Sequence, residues 1–229
     1  MSRLTDPTLP LLVAPTRNEL AAARAGVADL PARRRIETLA FGMGLASAAA
    51  LCRSLDARAQ LPSALALIGW AGGLSPTLAA GEGLLADAAF NPQGRRAPCV
   101  VAPLAGARVG PMLTVPAPLR TPEDKRTAGR CGALAVEMEA YPLAVWAAER
   151  GVPFVHVRVI LDPLDEALPE VGDALDPRGR VRVGALARQL IRQPQQAAVL
   201  GRLVRHTRAL SPALREAARA LVPMLREMA

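Results

Sequence analysis

Short apolar runs recur along roughly the first two thirds of the chain, and they constrain its fold more than any other feature. Runs of this length, bounded by glycine, proline or polar residues, favour buried strands, although periodicity alone does not separate them from short buried helices. Stretches with helical character lie between them, which is typical of βαβ units. We therefore predict a single α/β domain with a mixed, twisted central sheet flanked by helices. The predicted strands are residues 11–15, 36–40, 64–69, 83–88 and 154–160.

Helices are predicted between these strands, and turns are predicted where glycines cluster. The predicted helices are residues 17–28, 45–55 and 139–150. The Ala-Gly-Gly run at 71–73 is predicted to end the third strand. The stretch 92–122 is so rich in Pro, Gly and Arg that the sequence alone does not assign it.

The C-terminal part of the chain has a different composition. Residues 180–229 contain ten arginines and two glutamates, so they carry the whole net charge of +8. Three helices are predicted there, and Ser211 is the expected N-cap of the last one, with Pro212 at its first position. We predict a domain over residues 1–180 and a basic helical extension over 181–229 that packs on the same domain. The three helices are residues 184–192, 196–209 and 212–228.

Composition narrows the class of protein. Hydrophobic residues make up 51% of the chain, which excludes a disordered composition, and the apolar runs are too short to cross a bilayer. Residues 1–10 contain Arg3, Asp6 and two prolines and lack the apolar core of a signal peptide. The three cysteines lie far apart and predict reduced thiols. We expect a cytoplasmic protein without a metal or other cofactor.

The basic extension admits several functions. A solvated charged face is the simplest of them. Basic amphipathic helices also bind anionic membrane surfaces, which would make the protein membrane-peripheral. Nucleic-acid binding is the non-enzymatic alternative, but aromatic residues are only 3% of the chain, so platforms for base stacking are scarce and no specific nucleic acid is expected.

Four segments place carboxylates or glycines beside predicted strand ends, where open α/β sheets bind ligands. Each has an ordinary explanation by itself: Glu19 suits the first turn of a helix, and Asp162 suits a turn before proline. Their order along the chain is the informative feature. The segments are residues 11–19, the Gly-x-Gly of 42–44, the stretch 69–76 with Gly81, and the pair 136–140 and 157–162.

In this order the four segments resemble the nucleoside phosphorylase / methylthioadenosine nucleosidase superfamily. The resemblance covers roughly residues 11–169. Its most specific parts are the Ala-Gly-Gly-Leu of 71–74, the Val-Glu-Met-Glu-Ala of 136–140, and Arg158 four residues before Asp162. Within the superfamily, residues 152–169 look most like the hopanoid-associated phosphorylase branch, which is linked to removal of adenine from adenosylhopane.

The resemblance implies an enzyme that cleaves the N-glycosidic bond of an adenine nucleoside. Asp162 corresponds to the acid that donates a proton or hydrogen bond near purine N7, which requires a raised pKa. Arg158 corresponds to a residue that positions the following loop and binds in the substrate site. Gly72 and Pro116 are further predicted substrate-binding residues.

Other acids and Met138 correspond to the sugar and nucleophile sites of that superfamily. Glu139 is expected to bind the ribose 2′- and 3′-hydroxyls, and Met138 to pack against the sugar or in the core. Glu19 corresponds to the carboxylate that orients an attacking water, and Glu137 is expected to assist it. His156 is interpreted as a core residue, with a role in the site as the alternative.

The resemblance does not decide whether the nucleophile is water or phosphate. Gly42, Gly44 and Arg17 could bind an anion, so phosphate is a conceivable co-substrate. Relatives usually have Ser or Thr where this chain has Trp70, which favours water. Leu161 also departs from the family, since relatives often have Ser before the catalytic Asp.

Several functional alternatives stay open at this point. The substrate could be adenosylhopane, and the alternatives are a methylthioadenosine/adenosylhomocysteine-type nucleosidase and a general purine nucleoside phosphorylase. The adenine nucleoside would be lipid-linked in the first case. The resemblance further implies a homo-oligomer of undetermined order.

Overall fold

The computed structural model describes residues 8–31, 36–101, 104, 106–168 and 195–228. Within these ranges the chain forms one eight-stranded sheet with helices on both faces. The predicted α/β class with a mixed central sheet is thereby confirmed. The elements are β1 (Leu11–Ala14), α1 (Arg17–Gly26), β2 (Glu37–Ala40), α2 (Gly44–Asp56), β3 (Leu65–Gly73), β4 (Gly83–Phe90), β5 (Arg96–Pro98), β6 (Ala107–Thr114), α3 (Pro122–Gly129), β7 (Ala135–Glu137), α4 (Ala140–Arg150), β8 (Phe154–Asp162) and α5 (Gln195–Glu227).

The strand pairing closes on itself around β3. Starting from β3, the pairs run to β8, β4, β6 and β7, and β7 pairs with the end of β3 again. β1 pairs with the beginning of β3 and carries β2 at its outer edge, while β5 forms an antiparallel pair with β4. The closed ring brings the ends of β3, β7 and β8 together, and the candidate site lies there.

Alternate side chains of the central strands pack on opposite faces of the sheet. One face of β1 and β3, represented by Leu12 and Ile68, is covered by α1 and α5. The other face, represented by Val13 and Leu67, is covered by α2 and α4. This period of two is the one expected of strands buried on both sides.

The predicted end of the third strand is wrong. β3 continues through the Ala-Gly-Gly run, and Gly72 pairs with Val136 on one side and with Asp162 on the other. A Cβ atom on Gly72 would lie 3.0 Å from Asp162 Oδ2 and 3.2 Å from Val136 Cγ1. The glycine therefore permits close packing inside a strand and does not terminate it.

The unassigned stretch 92–122 contains β5 and β6 and leads into α3. The start of α3 follows ordinary capping chemistry, since the Thr121 hydroxyl accepts from the amide of Asp124 and Pro122 opens the helix. Because α3 is short and polar, no apolar periodicity marks it in the sequence.

The prediction of separate C-terminal helices is wrong for the described residues. Residues 195–227 form a single helix that contains Pro212 and Pro223, and Ser211 lies inside it. The Ser211 hydroxyl donates to the carbonyl of Thr207, so Ser211 is not an N-cap. Packing of the apolar residues that follow overrides the local preference for a break. The predicted helix at 184–192 lies outside the described residues.

The second half of α5 contributes to the core. Its buried residues pack with α1, β3 and β8, and these are Leu214, Ala218, Leu221, Val222, Met224 and Leu225. This apolar face therefore packs against the protein and is not available to a membrane. Membrane contact stays a prediction for the residues of the extension before Ser211. No helix among the described residues is long and apolar enough to span a membrane.

The packing of α5 can be tested by truncating one buried leucine. Leu221 is fully buried, so Leu221→Ala should lower the free energy of unfolding by about 2–5 kcal/mol. Val204 lies on the same helix and is 44% exposed, so Val204→Ala should change it by less than about 0.5 kcal/mol. Urea denaturation measures both, and an unchanged midpoint for Leu221→Ala would contradict the packing.

Candidate active site

Arg158 is the centre of the candidate site. It lies on β8, is fully buried, and uses its whole guanidinium group. Nε donates to His156 Nε2 at 3.0 Å, and Nη1 donates to the carbonyl of Trp70 at 3.2 Å. Nη2 donates to Glu137 Oε2 at 2.6 Å and to Glu139 Oε2 at 2.9 Å. One side chain thus joins β8 to β3, to β7 and to the start of α4.

Glu137 is held by four donors. One of its oxygens accepts from the hydroxyl of Thr114, and the other accepts from the amides of Glu139 and Ala140 at 2.8 Å each and from Arg158. The carboxylate therefore caps the start of α4 and fixes Arg158. These contacts support a positioning role, and its predicted assistance to the nucleophile stays a prediction.

Glu139 lies two residues further on and is buried beside the same guanidinium. Its Oε1 accepts from the amide of Gly44 at 2.8 Å, and its Oε2 accepts from Arg158. Burial raises the pKa of Glu139 to about 7; the Arg158 charge opposes this rise, and the neighbouring Glu137 carboxylate adds to it. Each oxygen keeps a further lone pair for a ligand.

Glu19 reaches the site from the first turn of α1. It forms a capping box with Thr16, whose amide donates to Oε2 at 2.9 Å. Its Oε1 accepts from the amide of Trp70 at 2.9 Å. A Cβ atom on Gly69 would lie 2.5 Å both from Glu19 Oε1 and from Arg158 Nη1, so these two side chains meet over the bare backbone of Gly69.

The Gly-x-Gly turn uses its amides inside the protein. Gly42 has φ 112° and Gly44 has φ 82°, which explains glycine at both positions. The amide of Gly42 donates to the carbonyl of Pro15 at 2.9 Å, and the amide of Gly44 donates to Glu139. Arg17 is exposed and lines an open pocket of about 470 Å³ together with Gly42. The turn therefore supports Glu139, and the predicted anion site stays a prediction.

Asp162 ends β8 opposite Gly72 and is buried. Its Oδ2 lies 2.6 Å from the ammonium nitrogen of Lys125, which is itself 0% exposed. Burial raises the pKa of Asp162 to about 6, while the Lys125 charge and hydrogen bond oppose the rise and Glu166 adds to it. The acid is therefore protonated in a substantial fraction of molecules near pH 6.

Lys125 is a site residue that sequence reasoning missed. It lies on α3, and besides Asp162 its Nζ donates to the carbonyls of Pro163 at 2.8 Å and of Glu166 at 2.7 Å. One signal could have found it, because it is the only lysine among the 28 basic residues of the chain.

His156 is the core residue that its position on β8 predicts. Its ring stacks on Phe154 at 6.1 Å between centroids, and its Nε2 accepts from Arg158. Burial and the Arg158 charge hold its pKa well below the usual value, so the ring is neutral. His156 contributes to the site by orienting Arg158.

Two further predicted substrate-binding residues lie at the edges of this cluster. Met138 is partly buried between Glu137 and Glu139, and its Cε lies 3.8 Å from the position of a Cβ on Gly44. Pro116 is exposed in the loop after β6. Among the residues that the structure describes, no group of three or more His, Cys, Asp or Glu side chains could hold a metal ion.

Comparisons with known proteins agree on the fold. The Phosphorylase superfamily matches residues 105–193, the part that contains Glu137, Glu139, Arg158 and Asp162. A search of curated proteins found no significant match.

Three solved structures illustrate the similarity. The 5′-methylthioadenosine/S-adenosylhomocysteine nucleosidase from Helicobacter pylori, with butyl-thio-DADMe-Immucillin-A, has a TM-score of 0.65 at 14% identity, covering 97% of this chain and 100% of that one. A futalosine hydrolase mutant of Helicobacter pylori has a TM-score of 0.66 at 14% sequence identity, covering 96% of this chain and 99% of that one. The 5′-methylthioadenosine/S-adenosylhomocysteine nucleosidase from Neisseria meningitidis, in complex with methylthio-immucillin-A, has a TM-score of 0.65 at 15% sequence identity. The match covers 96% of this chain and 99% of that one. The chain has the fold of these nucleosidases over nearly its whole length.

Removing the Arg158 side chain should destabilise the protein strongly. Arg158→Met leaves Glu137 and Glu139 buried without their cation, which should lower the free energy of unfolding by about 3–5 kcal/mol. The exposed pair of Arg58 and Glu37 gives a matched control at 3.0 Å, and Arg58→Met should cost less than about 1 kcal/mol. Equal costs in thermal or urea denaturation would contradict the central role of Arg158.

Gly69 should tolerate no side chain. In Gly69→Ala the new methyl group would displace Arg158 or Glu19, and we expect a loss of about 1–3 kcal/mol of stability. Gly83 is a strand glycine whose Cβ would meet Ala107 at an ordinary 3.7 Å, so Gly83→Ala is the control. Denaturation of both variants checks this, and a fully stable Gly69→Ala protein would show that the two side chains do not meet there.

Proposed function

We propose that the protein hydrolyses the N-glycosidic bond of an adenine nucleoside. The observation that carries this proposal is the set of three buried carboxyl groups at the ends of neighbouring strands and helices, which are Asp162, Glu139 and Glu19. Asp162 and Glu139 also have raised pKa values, and buried acids of this kind cluster at functional sites. Similarity to nucleosidases in fold and the superfamily match over residues 105–193 support the same chemistry.

Asp162 is the proposed acid for the leaving group. Cleavage of the C1′–N9 bond leaves the bonding electrons on the purine and positive charge on the sugar. In the proposed step the protonated carboxyl of Asp162 gives its proton to purine N7, so adenine leaves as a neutral molecule. Its raised pKa of about 6 keeps that proton available near neutral pH.

Glu139 is the proposed ligand of the ribose hydroxyls. Its oxygens are oriented by the Gly44 amide and by Arg158, and their remaining lone pairs can accept the 2′- and 3′-hydroxyls. A carboxylate there also stabilises the positive charge that develops on the sugar. Met138 is the proposed apolar contact of the sugar ring, and Gly72 and Pro116 stay predicted contacts of the substrate.

Water is the proposed nucleophile, oriented by Glu19. The water oxygen forms the new bond to C1′. One of its protons stays on the new hydroxyl group of the sugar, and the other passes through Glu19 or solvent and reprotonates the Asp162 carboxylate. The balance is one nucleoside and one water giving adenine and a free sugar. Trp70 supports this choice, because it occupies the position where relatives usually carry a hydroxyl.

The resemblance of residues 152–169 to the hopanoid-associated branch supports adenosylhopane as the substrate. The methylthioadenosine/adenosylhomocysteine type is the second candidate, since the similar structures from Helicobacter pylori and Neisseria meningitidis are nucleosidases of that name. A triterpenoid substrate would favour contact of the protein with a membrane surface, and a homo-oligomer remains part of this proposal.

Asp162→Asn tests the proposed acid. The amide keeps the shape but has no proton of suitable pKa, so adenine release should fall by about 100- to 10,000-fold. Asp165→Asn is the matched control, because Asp165 lies three residues further on with its side chain 73% exposed, and it should retain the wild-type rate.

The assay measures adenine released from adenosine, methylthioadenosine and adenosylhopane, each with and without phosphate. A rate that is independent of phosphate, with free sugar as product, supports hydrolysis. Formation of a sugar 1-phosphate would show phosphorolysis, and near-wild-type release by Asp162→Asn would refute the mechanism.

A further inference from the structure

Lys125 stands out among the basic residues of the chain. All 27 others are arginines, and this single lysine is 0% exposed on a short polar helix, α3. A buried ammonium is costly unless its charge is paired and its protons are hydrogen-bonded. The surroundings of Lys125 should therefore reveal what it does.

The ammonium group of Lys125 is directed entirely at Asp162 and the segment after it. Its three backbone acceptors are the carbonyls of Asp162 at 3.3 Å, Pro163 at 2.8 Å and Glu166 at 2.7 Å. Its charge partner is Asp162 Oδ2 at 2.6 Å. The three carbonyls can accept the three N–H donors of the side chain, and the carboxylate pairs its charge.

The compactness of the Lys125 side chain matters for this arrangement. A guanidinium is a planar fork with five donors, whereas an ammonium is a compact charge whose three protons can point in three directions. The four acceptors around Lys125 belong to one tight turn, which suits the compact group. This is a physical reason for lysine at a position in a chain that otherwise uses arginine.

We propose that Lys125 is the positioning residue for the acid of this site, holding Asp162 and the segment 163–166 in the geometry from which the proton is donated. The inference rests on the proposed function and deepens it. Lys125 acts through Asp162 and is not itself expected to touch the substrate. The neighbouring pair of Arg126 and Asp165 is exposed on the surface, so it contributes little to holding this segment.

The groups that face Asp162 determine in which direction its pKa changes when Lys125 is removed. Lys125 on α3 lowers its pKa, Glu166 in the same segment raises it, and His206 on α5 lies 3.7 Å from Glu166. On β3 and β7 the neighbours are Gly72 and Val136, which carry no charge. Removal of Lys125 should therefore raise the pKa of Asp162 further.

The protonated acid is the active form, so activity should fall as pH rises through the pKa of Asp162, which is about 6 in the free protein. In Lys125→Met this alkaline limb of kcat/KM should move to higher pH by about one unit or more. The maximal rate should fall by about 100-fold, because the acid is no longer held in place.

Two variants control this experiment. Arg126→Met removes the adjacent, exposed cation of the same helix, and its pH profile should coincide with that of the wild type. Lys125→Arg keeps the charge with the wrong shape, so its alkaline limb should stay in the wild-type position while its rate falls. A purely structural role would lower the rate of Lys125→Met equally at every pH, and that result would overturn the proposal.

A second measurement does not depend on whether the Lys125 variants fold. Labelling with [15N]lysine gives a single side-chain signal, because the chain has one lysine. Its 15Nζ shift should titrate together with Asp162 in the wild type, and this titration should be lost in Asp162→Asn. A wild-type signal that does not respond between pH 4 and 8 would overturn the proposal.

The two proposals can fail separately. If the wild type releases adenine, Asp162→Asn does not, and Lys125→Met has the wild-type pH profile, the role of Lys125 is wrong and the proposed function stands. If no nucleoside is cleaved by the wild type, the proposed function fails, while the 15Nζ titration still decides whether Lys125 and Asp162 are coupled.

Discussion

The guanidinium of Arg158 is the interaction on which the arrangement of the site depends. From its position on β8 it binds a carbonyl of β3, a carboxylate of β7, a carboxylate at the start of α4 and the ring of His156. The strand ring, which closes through the pairing of β7 with β3, brings these elements together. A guanidinium suits this position, because its five donors lie in a fixed plane and it stays charged when buried. The closed ring therefore gathers the acceptors that a single buried guanidinium can satisfy.

The site contains two acids whose pKa values are raised by burial, and each of them contacts a different cation. Glu139 contacts Arg158, and Asp162 contacts Lys125. A carboxyl whose pKa is higher in the folded state stabilises the fold fully only below its unfolded value near 4, and that contribution is lost as pH rises through about 6 for Asp162 and about 7 for Glu139. The burial of these two acids thus opposes stability at neutral pH.

The sequence was sufficient to predict the fold class, because strand-length apolar runs are local features. Asp162, Glu139 and Arg158 were selected by motifs that resemble a known family; the structure buries all three, and their roles in the site stay predictions. Lys125 was missed for a physical reason: it lies in a polar stretch that predicts a solvated surface, and its partner is 37 residues away in sequence. The C-terminal helix was divided wrongly at Pro212 because local breaking signals do not report the tertiary packing of Leu221 and its neighbours. Contacts distant in sequence account for both failures.

The charges of the site also bear on the nucleophile. Three backbone amides of the predicted nucleophile and anion site already have acceptors: Gly42 donates to a carbonyl, Gly44 to Glu139 and Trp70 to Glu19. Two of these three acceptors are carboxyl groups, so an anion that replaced them would meet negative charge and lose its donors. Water is neutral and can donate to Glu19 while the Trp70 amide stays bonded. The carboxylates proposed to bind the sugar and the water therefore disfavour phosphate, which supports the proposal of hydrolysis.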